Sequence, residues 1–251
     1  VGKTTITIGL MAAFAARGYS VQPFKCGPDF LDGMHHEAAV EAGSAEYQRN
    51  KMQKRAATDE ERKEMKDEVE IDVDVDVESS SLEDKKQAEI GRRNQTYKNK
   101  NVCCVNLDSW MMGSTDAMIS SYQRHSIGAD ICIIEGCMGL HDSKDGTSEI
   151  GSTAHIAKLL NIPVVLIIDG SMMARSTAAM ALGYTLLDEN MRMGAVIVNK
   201  VGGRVHRQWI KESIEKEGKG DGRLKDVGTG RAVMFAGALP NDKAASMPER
   251  H

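Results

Sequence analysis

Val1-Gly2-Lys3-Thr4-Thr5, running straight into Ile6-Thr7-Ile8-Gly9-Leu10-Met11-Ala12-Ala13-Phe14, is the stretch on which the fold turns. The first five residues are the second half of a phosphate-binding loop, G-x-x-x-x-G-K-[ST]. In such a loop the backbone amides of Gly2 to Thr5 and the start of the following helix hold phosphates, Lys3 reaches the β- and γ-phosphates, and Thr4 holds Mg²⁺. The first glycine of the pattern, and the strand that leads into it, would lie before Val1. After the motif the apolar residues are too dense for a half-exposed strand, which predicts a buried helix over 4–16 stopped at Gly18. A bare Gly-Lys-Thr also arises in chains that bind no nucleotide, so the remainder of the sequence has to decide.

Working outward, apolar runs and helical stretches alternate. Strands are expected at 19–25, 131–135, 164–169, 195–199 and 233–239, and helices at 34–42, 115–125, 153–160, 177–189 and 206–217. Because the strands are unbroken apolar runs, the pattern predicts an α/β fold, a mainly parallel sheet with helices on both faces, of the P-loop type. Residues 44–101 interrupt the rhythm with charged sequence at 51–55 and 59–70, a Val-Asp alternation at 69–78 and three serines at 79–81. They read as a solvated insertion that adds little to a core.

The 251 residues are expected to form one domain, with enough apolar content (41%) to bury a core unaided. A net charge of −4 leaves no basic excess for gripping nucleic acid, and no apolar run approaches the length of a membrane span. Cys26, Cys103, Cys104, Cys132 and Cys137 show neither paired-ligand spacing nor a disulfide framework. A cytoplasmic location is expected. Organellar targeting stays open, because Val1 falls inside a motif and hides the true start.

Two further segments carry chemistry. The strand before Lys25-Cys26-Gly27-Pro28-Asp29-Phe30-Leu31-Asp32 delivers one cation and two carboxylates to the carboxyl edge of the sheet, where open α/β folds bind ligands. The buried strand 131–135 ends on Glu135, where a P-loop enzyme commonly sets an acid facing the metal.

These motifs together resemble the cobyrinic acid a,c-diamide synthase family, which includes enzymes acting on hydrogenobyrinate and on a nickel tetrapyrrole. The resemblance extends through Val21-Gln22-Pro23-Phe24-Lys25, Asn106-Leu107-Asp108-Ser109-Trp110-Met111-Met112-Gly113, Glu135-Gly136-Cys137-Met138-Gly139-Leu140, and Gly151-Ser152-Thr153-Ala154. It continues through Asp169, Met173-Ala174-Arg175-Ser176, Asn199-Lys200-Val201-Gly202 and Pro248-Glu249-Arg250-His251. It implies ATP and Mg²⁺ as cofactors, a tetrapyrrole substrate, and a separate C-terminal glutaminase domain that lies beyond these residues. Within that picture Lys25, Asp29, Asp32 and Glu135 are the catalytic set, and Thr4, Asp29 and Glu135 surround the metal. Similarity to dethiobiotin synthetases gives Lys25 the neutralisation of the substrate carboxylate and of the transferring phosphoryl group. Gly2, Lys3, Thr4, Thr5, Asn199 and Lys200 are the nucleotide set, with Asn199 reading adenine because an amide both donates and accepts. Phe30, Leu31, Asp108, Arg175 and Ser176 are candidate substrate contacts. No nucleic acid or membrane partner is implied, and a homodimer is left open.

The sequence also departs from the family, with His141 in place of an aromatic residue and Ser143 in place of a glycine. His36 aligns with a family histidine, its role open between capping, packing and catalysis. Cys137 sits in a sequence like a glutaminase nucleophile elbow but lacks the downstream His and Glu partners such a nucleophile needs. Two other readings stay open: a dethiobiotin synthetase-like enzyme, and a ParA/MinD-like ATPase switch that forms no product.

Overall fold

The computed structural model describes residues 2–27, 30–56, 102–220 and 222–241. The chain runs α1 (Lys3–Ala16), β1 (Val21–Cys26), α2 (Phe30–Ala56), β2 (Val105–Leu107), α3 (Thr115–Ser126), β3 (Ile131–Glu135) and α4 (Thr153–Leu159). It continues β4 (Val164–Asp169), α5 (Ser176–Leu187), β5 (Met193–Val201), α6 (Arg204–Gly218) and β6 (Met234–Pro240). Among the described residues every pairing between these strands is parallel, as the alternation predicts, with one isolated antiparallel bridge between Lys225 and Ala232. Among the described residues no helix is long and apolar enough to cross a membrane.

Among the described residues the strands form two three-stranded sheets, in the orders β2-β1-β3 and β4-β5-β6, rather than one. Around the first sheet, Met11 and Ala15 of α1 pack with Val21 and Val40, while Phe24, Leu107, Met118 and Ile156 form a neighbouring cluster. Around the second, Val196 and Val198 of β5 share a cluster with Ala181 of α5 and Ile210 and Ile214 of α6. Between the two lies a cavity of about 500 Å³, lined by Ile133 and Ile134 of β3, Val165 and Ile167 of β4, and Leu10 and Phe14 of α1.

α3 and α4 start where short polar side chains accept from first-turn amides. Ser114 takes the Ala117 N–H at the head of α3, and Ser152 takes the His155 N–H at the head of α4. α1 and α2 cross closely because Gly43 has no side chain: a Cβ there would sit 2.3 Å from the Ala12 carbonyl oxygen.

The helix expected over 34–42 extends from Phe30 to Ala56. Residues 44–56, assigned from composition to the insertion, are therefore helical, and Tyr47 covers Gly18 at the end of α1. The rest of the expected insertion, 57–101, lies outside the described residues. The short strand β2 was not anticipated, because three residues carry no readable period.

Candidate active site

Parallel register sets three residues in a row across the first sheet: Asn106 of β2 pairs with Lys25 of β1, and Lys25 pairs with Glu135 of β3. Lys25 and Glu135 are the candidates expected at the strand ends, and their side chains meet. The Lys25 Nζ lies 3.1 Å from Asp32 Oδ2 and 3.5 Å from Glu135 Oε1. All three side chains are at most 9% exposed, so their charges interact with little water between them. The Asn106 Nδ2 donates to the Gly27 carbonyl at 2.8 Å, at the turn that follows β1.

α1 brings the phosphate motif to the same point. The Thr4 hydroxyl donates to Glu135 Oε1 at 2.5 Å. The other carboxylate oxygen, Oε2, lies 2.6 Å from Nε2 of His36, whose Nδ1 faces the Cys104 Sγ at 3.4 Å. Asp32 and His36 are four residues apart on α2, one turn of helix, and both turn toward Lys25 and Glu135. That spacing was the signal in the sequence; it did not choose between packing and function.

Burial works against charge on Glu135, but the His36 and Thr4 hydrogen bonds and the Lys25 cation outweigh it and hold its carboxyl below the usual range. Burial likewise opposes the Lys25 charge, and Glu135 with Asp32 outweighs it, so the ammonium is held more firmly than usual.

Gly2 caps α1 in the left-handed region, φ 87°, and a Cβ on it would lie 2.6 Å from the Asn199 Nδ2. Two nucleotide candidates, one from each half of the molecule, thus lie against each other. Asn199 is in register with Asp169 of β4, and the next residue, Lys200, turns back to pair its Nζ with Asp169 Oδ2 at 2.6 Å. This pairing holds the Asp169 carboxyl down at about 2. Lys200 holds a left-handed backbone, φ 58°, a conformation a lysine rarely keeps without support.

The other candidates separate. Arg175 is the N-terminal boundary residue of α5, with Ser176 the first helical residue, and its exposed guanidinium points at Glu217 from 4.0 Å. Asp108 Oδ1 accepts from the Trp110 and Met111 amides, a turn-closing task. Phe30 and Leu31 open α2, and Asp29 lies outside the described residues. Cys137 is braced by Thr153, which accepts from its N–H at 3.1 Å and donates to its carbonyl at 3.2 Å. Thr153 was quoted only within a motif, and this bracing had no signature in the sequence.

The residues present fit a magnesium nucleotide. Thr4 and Glu135 offer hard oxygen donors, and the first-turn amides of α1 lack partners within the helix. No group of three His, Cys, Asp or Glu suited to a metal occurs among the described residues. A metal here would therefore lean on phosphate oxygens and water as well as protein.

A parallel α/β sheet whose strand ends gather a lysine and carboxylates under a Gly-Lys-Thr helix start is a nucleotide-binding domain of the P-loop class. The chain belongs to the CobQ/CobB/MinD/ParA nucleotide binding domain family, which it matches over residues 1–251. It is 30% identical over 250 residues to the cobyrinate a,c-diamide synthase of Listeria innocua, 32% over 252 to that of Archaeoglobus fulgidus, and 33% over 253 to that of Methanosarcina acetivorans. Each comparison covers all of this chain and 39%, 38% and 36% of the relative. The chain thus spans under two fifths of the length of these curated relatives. No solved structure matches it.

Proposed function

We propose that this chain is the ATP-using domain of an amidoligase that converts peripheral acetate carboxylates of a corrin-type tetrapyrrole, such as cobyrinic acid, into amides. The observation that carries the reading is the buried Glu135–Lys25–Asp32 cluster, joined by the half-buried Thr4 at the start of α1. The names of the relatives support the substrate class. Residues 1–251 are read as one domain interrupted by an insertion, with a glutaminase domain elsewhere in the full-length protein and a cytoplasmic location.

In this reading a substrate carboxylate oxygen attacks the γ-phosphorus of ATP, the bond to the β-phosphate oxygen breaks, and ADP leaves. Ammonia then attacks the carbonyl carbon of the acyl phosphate, a proton leaves the nitrogen, and the C–O bond to phosphate breaks. Magnesium would supply charge neutralisation for the phosphates when bound, and Thr4, Glu135 and Asp29 are the residues that would hold it. Gly2, Lys3, Thr4 and Thr5 receive the phosphates, and Asn199 and Lys200 take the base end. Lys25, kept charged by its two carboxylates, stands ready to offset the charge of the transferring group. Water exclusion around this cluster strengthens each of these interactions.

The test offers the full-length protein ATP, ammonia and a panel of tetrapyrrole acids, with products weighed by mass spectrometry. Amides accompanied by ADP are expected. ATP hydrolysis with no amidated product from any acid would sink the reading and favour an ATPase switch. Asp29→Asn should reduce amidation by orders of magnitude at saturating Mg²⁺, and near wild-type turnover would remove it from the site. Glutamine should serve as nitrogen donor only when a glutaminase domain is present, because Cys137 lacks the downstream His and Glu partners that a glutaminase nucleophile needs. Glutamate release by this domain alone, abolished by Cys137→Ala, would contradict that.

A further inference from the structure

We infer that His36 is a positioning residue for Glu135: its imidazole, wedged between the carboxylate and the Cys104 thiol, fixes the direction in which Glu135 presents its other oxygen to Thr4 and Lys25. His36 is 0% exposed, an unusual place for an imidazole unless both ring nitrogens are satisfied. Both are. Nε2 lies 2.6 Å from Oε2, and because a carboxylate oxygen accepts, this ring nitrogen carries a proton and donates to it. Nδ1 lies 3.4 Å from the Cys104 Sγ, a thiol that burial, with Glu37 nearby, pushes up to about 12. The contacts therefore run in a chain from Cys104 through His36 to Glu135.

The support behind the imidazole is also built. The Cys104 backbone N–H donates at 2.7 Å to Glu37 Oε1, so consecutive residues of α2 hold the chain entering β2 and the carboxylate ending β3. With Oε2 committed to His36, the carboxylate cannot swivel, and Oε1 stays 2.5 Å from the Thr4 hydroxyl and 3.5 Å from Lys25. A histidine that merely filled space would need no such chain.

This rests on the proposed function only where turnover is measured, so the experiment has two arms. In the full-length protein, His36→Gln keeps an N–H near the place of Nε2, whereas His36→Asn is too short to reach Glu135. His36→Asn should lower kcat for ATP turnover about 10- to 100-fold, the usual cost of losing a group that orients a ligand. KM for ATP should stay within about threefold, and the Gln variant should lie much closer to wild type. In a Glu135→Gln background His36→Asn should cost nothing further, because the two act through one group. The second arm needs no substrate: ¹⁵N–¹H spectra of the ring should show the proton on Nε2, with a resonance that moves in Glu135→Gln. Equal losses in the Gln and Asn variants, additive losses on Glu135→Gln, or a ring protonated on Nδ1 alone would overturn the assignment. If the tetrapyrrole reading fails, the spectra still decide the role of His36.

Discussion

Glu135 takes hydrogen bonds from Thr4 and His36 and a charge from Lys25 in a space closed to water, so its negative charge is the quantity the surrounding residues are arranged to preserve. Glu135→Gln keeps the shape and removes the charge. It should lower ATP-dependent turnover at least about 100-fold, in line with the loss of one preorganised electrostatic group, while leaving a cooperative melt. Near wild-type rates at saturating Mg²⁺ would exclude Glu135 from the chemistry. The Asp169–Lys200 pair gives a pH test with a definite sign. The folded carboxyl at about 2 lies below the unfolded value of about 3.9, so its contribution is present above about pH 4 and is lost as pH falls through about 2. Lys200→Met should move the Asp169 titration upward in carbon-13 NMR, with a small effect on stability because both side chains are partly exposed. An unmoved titration would show that the Ser171 hydrogen bonds, rather than Lys200, set the value. At this scale Lys25 and Glu135 were legible because each ends an apolar strand. The pairing of Lys200 with Asp169 was not, since it depends on the register of strands whose residues are 31 positions apart.

The contact between α1 and α2 is set by one missing side chain. Gly43→Val would drive atoms into the Ala12 carbonyl and the Ala15 methyl, an overpacking worth roughly 1–3 kcal/mol. For a chain of this size that lowers Tm by about 3–10 °C, and an unchanged Tm would mean that the helices separate freely. The length of α2 also bears on where the chain tolerates excision. Removing residues 57–101 and joining the ends with a flexible linker should leave a cooperative thermal transition, because charged sequence of this kind adds little core and loop length costs little. Extending the cut back to Ser44 should lower Tm further, since it strips Tyr47 from Gly18. Equal melting of the two deletions would refute this. The far half of α2 was hidden in the sequence because its apolar period stops near Ala42. Beyond that point the helix continues on exposed residues such as Glu46, Arg49 and Lys51, good helix formers whose charges read equally well as insertion.

Across the whole molecule, the alternation of strand and helix and the parallel pairing could be read from apolar runs alone. The division into two sheets could not, because it depends on which strands neighbour each other rather than on where they are. An apolar strand and the first phosphate-loop glycine supplied before Val1, as the motif requires, should tighten MgATP binding at least about tenfold by calorimetry. Equal affinity with and without the extension would contradict this. The division itself should be visible as a pattern of deuterium uptake. Among the described residues β1 and β5 are each flanked on both sides, whereas β3 and β4 each have one neighbour and turn their other edge to the cavity. Amides on those two edges should therefore exchange orders of magnitude faster than those of β1 and β5. A segment that settles in the gap would slow both edges together, so paired protection of β3 and β4 would report the joining of the halves without reference to any ligand.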